Sequence, residues 1–321
     1  MRPAASRVPR RPPPPLPEDP VSLSRAAVAA ARGRGFAAAG VLAATRPDSF
    51  ERYRAWLEKG FHGEMAYLER DAAARMRFDA ILPFARSVLA VAREIPGRGP
   101  GNVAQYARGE DYHRVVRRHL KAVIDDLRPL APKGSHFRVC VDTAPFLERE
   151  IAARAGLGFI GKNGLLIVPG VGSHVVLGEL LTAVALAPPA APFDPGADRC
   201  GSCTACLDAC PTRAFVEPRV LDARKCLSYL TIEKRTPFTD EEETALGGRL
   251  FGCDDCQDVC PFNESRGFGP SGPAASLDPD EILALSPEAF RARFFGSALW
   301  RATPGGLARN AAAAKRREAR R

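Results

Sequence analysis

Eight of the nine cysteines in this chain lie between Cys200 and Cys260, and that crowding limits what the chain can be. The first group reads CGSCTACLDACP, with Cys200, Cys203 and Cys206 at two-residue gaps, then Cys210 and Pro211. Three thiolates so spaced in one loop reach three corners of a cubane; the fourth cysteine is too far round to close the same cube and ligates a second cluster. The second group, CDDCQDVCP, sets Cys253, Cys256 and Cys260 before Pro261 with the same ending. Leu250 stands where a further ligand would precede Cys253, so Cys226, the one cysteine left in the segment, takes that role. The expected ligand sets are Cys200, Cys203, Cys206 and Cys260 for one [4Fe–4S] cluster, and Cys210, Cys226, Cys253 and Cys256 for the other. Structural zinc also takes CxxC pairs, but it does not need two such steps in series followed by a Cys-Pro ending. Disulfide scaffolds belong to short secreted chains. This one has 321 residues, and its Arg10-Arg11 pair is followed by prolines and acids rather than an apolar export signal. A reducing compartment, the cytoplasm, is expected. Cys140, on an apolar strand, reads as a core thiol.

Two cubanes side by side form an electron wire, and a wire needs a terminus. The segment ahead of the cysteines is the place to look. From about residue 22 the pattern predicts helices at 22–32, 50–70, 111–130 and 145–155, with strands at 40–45, 87–93, 136–141, 165–168 and 175–186. That alternation implies an α+β (α/β-like) layered domain. Residues 187–197 read as a linker. The net charge of +9 sits mostly at the ends: the proline-rich residues 1–20 and the arginine-rich residues 301–321, expected to fray. Tails of this kind often touch nucleic acid or stay solvated. The greasiest stretch, 165–186, is broken by Pro169, His174 and Glu179, so no membrane span is expected.

Several motifs mislead. Gly156, Gly158 and Gly161 match GxGxxG, but the run follows a helix and leads into a strand, the reverse of a dinucleotide fingerprint. The overlapping P-loop imitation has Asn163 where Ser or Thr would hold magnesium. Asp111-Tyr112-His113 starts like a DxHxxG cobalamin motif, but Val116 occupies the glycine position, so His113 is expected to face solvent. Asp142, in VDTAPFLER between a strand and a helix, reads from spacing as a helix cap, by itself or through Thr143; the competing reading is an acid at a strand's carboxyl end, where α/β sites open.

Taken together, FHGEMAYLER (61–70), LPFARSVLAV (82–91), YARGEDYH (106–113), VDTAPFLERE (141–150), AGLGFIGKNGLLI (155–167), GELLTAVAL (178–186), KCLSYLTIEKR (225–235) and both cysteine groups resemble the epoxyqueuosine reductase family over about residues 22–265. The resemblance implies a nitroreductase-like cobalamin-binding domain (21–190) and a ferredoxin-like domain with two [4Fe–4S] clusters (191–265). A tail (1–20), a helical segment (266–300) and a basic tail (301–321) complete the division. LARNAAAA at 307–314 looks like the start of the HEAT-like repeats that family members commonly carry. The implied reaction is reduction of epoxyqueuosine to queuosine at the wobble position of tRNA, the last step of queuosine biosynthesis. Electrons pass singly through the clusters to cobalamin, and Asp142 is the proton donor because the epoxide oxygen leaves as water. This outweighs the cap reading, although one residue can do both. Cobalamin contacts are implied at Tyr106, Asp142, Asn163, Ser228 and the Cys253–Cys256 loop with Asp254 and Asp255, and a tRNA-facing strip at Arg235. The implied partners are tRNA carrying epoxyqueuosine and a low-potential electron donor of the flavodoxin or ferredoxin type, with a monomeric enzyme. The competing readings are a corrinoid iron–sulfur reductive dehalogenase and a non-catalytic two-cluster electron-transfer protein.

Overall fold

The computed structural model describes residues 19–95, 99–187, 198–264 and 275–319. Most of the expected N-terminal tail and linker lies outside them. The centre is a four-stranded antiparallel sheet in the order β1 (Ala38–Ala43), β2 (Ser87–Glu94), β6 (Val175–Thr182), β3 (Phe137–Cys140). A hairpin of β4 (Phe159–Ile160) and β5 (Leu166–Ile167) stands apart. β2 and β6 pair over their full length, from Ser87 opposite Thr182 to Glu94 opposite Val175. Both are covered on two faces, which is why they read as near-continuous apolar runs. Leu89, Val91 and Leu180 face the Pro20–Gly33 and Tyr112–Leu127 helices. Val88, Ala90 and Leu181 face the Glu148–Arg154 helix and Phe146. The Tyr112–Leu127 helix, within the predicted 111–130, buries Val116, Leu120, Val123, Ile124 and Leu127 as one stripe at helical spacing, with Val115 only partly covered.

Three expectations need correction. The predicted 50–70 helix ends at Glu58, turns through Gly60 and Gly63 at φ of 65° and 60°, and resumes only at Tyr67–Arg70. The predicted 145–155 helix starts at Glu148, with Leu147 at its N-cap and no side-chain cap, so neither Asp142 nor Thr143 caps it. Pro145 disfavours helical geometry at Ala144 and delays the start. The GLGFIG glycines serve packing: a Cβ on Gly158 would stand 2.1 Å from the Ile167 carbonyl oxygen.

The largest change is at the C-terminus. Residues 303–319 form one helix, Thr303–Ala319, and bury Leu307, Asn310, Ala311, Ala313 and Ala314. Leu307, Ala311 and Ala314 share a core with Val103, Ile232, Leu250, Phe251, Phe290 and Phe294, so residues from four of the expected segments close one core. The expected fraying does not occur across 301–319. Nor are four of the basic side chains there held free for phosphate. Arg301 pairs with Glu233, Lys315 with Asp280 and Arg316 with Glu243, while Arg309 donates to the carbonyls of Leu230, Lys234 and Thr236. Asn310 fastens the helix, donating from Nδ2 to the carbonyls of Thr231 and Leu250, both at 2.8 Å. Asn310→Ala leaves both carbonyls buried without a donor and should destabilise the chain by about 2–4 kcal/mol. A chemical denaturation midpoint equal to wild type would show that the lock is unimportant.

Candidate functional site

The site gathers where β3 runs out. Val141 is fully buried, and Asp142 then takes φ of 55°, a left-handed value for a residue with a side chain. The Thr143 N–H closes back on the Val141 carbonyl at 2.5 Å, so Asp142 is the corner of a tight three-residue turn, the strained kind with positive φ. Its own N–H donates to Glu148 Oε1 at 2.6 Å. The Asp142 carboxylate meets His113 Nε2 at 3.0 Å, and His113 Nδ1 meets Asp111 at 2.8 Å. His113 therefore does not simply face solvent, as expected from sequence; it stands between two carboxylates on the first turn of its helix. Nothing in the residue spacing reveals this, because Asp142 lies 29 positions away.

The charges follow from these contacts. Burial works against a charged His113, but its hydrogen bonds to Asp111 and Asp142 push the imidazole up to about 9. It carries a proton at neutral pH. Burial would raise Asp142, yet His113, the Tyr112 phenol and the charge of Arg301 hold it below the usual carboxylate range. Asp142 alone is thus ionised at neutral pH, and the transferable proton belongs to the His113–Asp142 pair. Beneath it, burial and the charge of Asp142 push Glu148 up to about 7.

Asp142 keeps 55% of its side-chain surface open, so it lies in a recess rather than in the core. Arg149 is exposed too, yet desolvation lowers its guanidinium below the ordinary value, as expected for a residue walled by protein on several sides. Tyr106 joins this recess to the cysteine loops. It feels the charges of both Asp254 and Asp142, and burial raises its phenol. Asn163 Nδ2 reaches the Cys256 carbonyl at 3.4 Å, and Arg149 donates to the Gly164 carbonyl, which ties the β4–β5 turn to both sides. A neighbouring cleft of about 230 Å³ is lined by Asn102, Arg108, Arg249, Cys253, Asp254 and Asp255 among others.

The remaining predicted residues are placed as follows. Asp254 is buried and accepts the Gln105 N–H at 2.7 Å; Asp255 takes Arg249 at 2.7 and 2.8 Å. Ser228 hydrogen-bonds Cys226. Arg235 donates to the carbonyls of Ile232, Arg301 and Ala302, so its guanidinium is a strut between elements rather than a free hand for phosphate. Cys140 is the expected core thiol, pushed up to about 12 by burial. Among the cluster cysteines, Cys206 lies within electrostatic reach of Cys260, Cys200 and Cys203, and Cys256 within reach of Cys226, Cys253, Cys206 and Cys210. The Ala214 N–H also points at Cys210 Sγ, at 3.3 Å. Among the described residues no three such side chains close on a single metal ion. Thiolates bound to separate irons of a cube need no common point, whereas zinc ligands do.

A family profile described as a 4Fe-4S double cluster binding domain matches residues 199–263, spanning all eight of these cysteines. A second, described as epoxyqueuosine reductase QueG, DUF1730, matches residues 75–143 and ends just past Asp142. The epoxyqueuosine reductase of Pseudomonas aeruginosa is 39% identical over 306 residues, covering 89% of this chain and 83% of that one. The chain belongs to the epoxyqueuosine reductase family. The Escherichia coli member is 37% identical, covering 83% of this chain and 74% of its own length. A crystal structure of an epoxyqueuosine reductase with an epoxyqueuosine-modified tRNA stem loop matches with a TM-score of 0.82 at 31% identity, over 92% of this chain and 81% of that one. A Bacillus subtilis epoxyqueuosine reductase matches with a TM-score of 0.81 at 31% identity, over 92% and 82%; there a catalytic aspartate loop is swung out of the active site. The fold expectation holds, and the double-cluster domain is present. Membership decides against the dehalogenase and the simple electron carrier. Among the described residues no helix is long and apolar enough to cross a membrane.

Cys226 is the ligand assigned without a local partner, so it tests the pairing most sharply. Cys226→Ala should lower anaerobically reconstituted iron from about eight to about four atoms per chain. A full iron complement with unchanged low-temperature paramagnetic resonance would remove Cys226 from the set.

Proposed function

We propose that this chain reduces epoxyqueuosine at the wobble position of tRNA to queuosine, and that the His113–Asp142 pair is its acid. The observation that carries this reading is a charged carboxylate–imidazole pair, set on a strained turn and open to a recess that runs to the cysteine loops. The reaction needs two electrons and two protons: both carbon–oxygen bonds of the epoxide are lost, an alkene forms, and the oxygen departs as water. Such an oxygen must be protonated as it leaves. His113 holds the proton between Asp111 and Asp142, and Asp142 presents it to the recess. The second proton enters through the same pair from solvent.

The recess also fits cobalamin. Gln105 Oε1, beside Tyr106, is buried with no donor among the described residues, and the peripheral amides of a corrin are N–H donors. Tyr106 would face the macrocycle, with Asn163, Ser228 and the Cys253–Cys256 loop shaping the far wall through the contacts they already make. When bound, cobalamin supplies a strongly reducing centre next to the second cluster. We assign that cluster to Cys210, Cys226, Cys253 and Cys256, and the first to Cys200, Cys203, Cys206 and Cys260. Cys203 is exposed and offers the entry for electrons from a flavodoxin- or ferredoxin-type donor. For tRNA, we place the contact not at Arg235 but at the exposed Phe295 and Trp300. Their rings meet edge to face at 5.5 Å, and Arg291 covers Phe295 at 4.9 Å. Unpaired loop bases stack on such surfaces. The enzyme acts as a monomer in the cytoplasm on this reading.

The test is anaerobic turnover of epoxyqueuosine tRNA with reconstituted clusters, cobalamin and a low-potential reductant, read by nucleoside mass spectrometry. Cobalamin-dependent loss of one oxygen is expected. Asp142→Asn should keep clusters and corrinoid but lose about 10²–10⁴-fold in kcat. On the alkaline side, wild-type kcat should fall through about 9 as His113 loses its proton. Wild-type turnover by the Asn variant would return Asp142 to a structural role.

A further inference from the structure

Glu179 is hard to explain as scaffold. It sits mid-strand in β6, between Ala90 of β2 and Cys140 of β3, on the face otherwise built of Val88, Leu181 and Ile151. Its exposure is 0%, and among the described residues no donor reaches either carboxylate oxygen. A buried carboxylate without a donor costs several kcal/mol if charged, so it is neutral and its own proton is the donor. The partner is Glu148, whose Oε1 holds the Asp142 N–H. The strained turn at Asp142, with Thr143 closing on Val141, depends on that grip.

We propose that Glu148 latches the Asp142 turn in its working position, and that Glu179 is the positioning residue that holds the latch by donating its proton to Glu148. This rests on the reading of Asp142 as part of the acid. A Glu148 carboxylate accepts both the Asp142 N–H and the Glu179 O–H. A protonated Glu148 is a poorer acceptor, and the turn, which costs backbone energy, is then free to leave. The Bacillus subtilis relative with its catalytic aspartate loop swung out shows that a loop of this kind has a second position.

The sign of the pH dependence follows. Burial and the charge of Asp142 hold Glu148 at about 7, and the Glu179 hydrogen bond pulls it down from a still higher value. Glu179 itself is held well above the ordinary range by burial and by Glu148. The other charged or titratable groups facing the pair are Asp142 and Arg149, Cys140 on β3, and Tyr112 on the Tyr112–Leu127 helix, whose phenol feels Glu148; Arg138 and Arg117 act on Cys140, and β2 places Ala90 opposite Glu179. The latch therefore engages as pH rises through about 7 and stays engaged above it, while turnover ends as His113 loses its proton near 9.

Two readouts test this on the reconstituted holoenzyme. In kcat against pH, wild type shows an acid limb near 7, Glu148→Gln flattens it, Glu179→Gln keeps it in place because the amide still donates, and Glu179→Leu moves it up by about one unit or more. In hydrogen–deuterium exchange without tRNA, at one pH, residues 141–147 exchange about ten-fold faster in Glu179→Leu than in wild type or Glu179→Gln, the factor that about 1.4 kcal/mol of lost latching implies. An acid limb that ignores Glu179→Leu, or Gln and Leu variants that behave alike in both readouts, would overturn the latch. The exchange readout needs no substrate, so faster exchange in the Leu variant supports the latch even if epoxyqueuosine turnover is absent, which would overturn the function instead.

Discussion

The pairing of β2 with β6 is the constraint on which the rest hangs. Eight consecutive residue pairs lock these strands, and each strand then carries two opposite cores. A one-residue slip would turn every side chain to the wrong face. With the register fixed, β3 on the far side of β6 ends at one place only, and Cys140 lies against Glu179. The chain after Cys140 must then turn sharply toward the helix that covers the sheet. Asp142 is the corner of that turn, and the face that receives the helix also delivers Glu148 to its N–H. The site is where it is because the sheet has one register.

Electrostatics then decides what the corner can do. The same burial acts in opposite senses on neighbouring acids. Asp142 faces an imidazolium and stays charged; Glu148 and Glu179 face each other with no cation in hydrogen-bond contact, and resist charge. Three neighbouring carboxylates thus do not share one protonation state at one pH. Such separation is what acid–base chemistry at neutral pH requires, and it comes from placement rather than residue type. The cysteines show the same logic. Burial first, and the neighbouring thiols after it, raise Cys256, so such thiols resist ionisation without a nearby positive charge. The wire and the acid are both built from groups that are incomplete alone.

Much of this was legible in the sequence. The cysteine spacing declared two clusters because three thiolates on one short loop have few other uses. The helical stripe from Val116 to Leu127 and the apolar runs of β2 and β6 declared the layered fold. Asp142 was legible as a residue to watch, but its spacing pointed to a cap, because proline three positions on imitates a helix start. The delay of that helix to Glu148 is a tertiary effect. His113 and Glu179 were invisible for a different reason. Their partners are distant in sequence, and a lone histidine or a glutamate in an apolar run looks the same whether it works or merely packs. The tail at 301–319 misled through composition: its arginines looked free, and only the fold shows Arg301, Arg309 and Arg316 facing a carboxylate or carbonyl.

Glu179 also bears on why such a costly arrangement would persist. An aliphatic side chain at its position would pack against Ala90 and Cys140 without any desolvation penalty, and replacing buried polar groups by apolar ones of similar volume is often stabilising. A chain selected for stability alone would have no use for an acid in mid-sheet. The same holds for Asp142 at φ of 55°, where glycine would relieve the backbone. Both departures from what the fold prefers lie on one line, from the middle of β6 through Glu148 to the carboxylate in the recess. Backbone strain and a buried acid aligned toward one carboxylate are what a site looks like when stability has been given up for position.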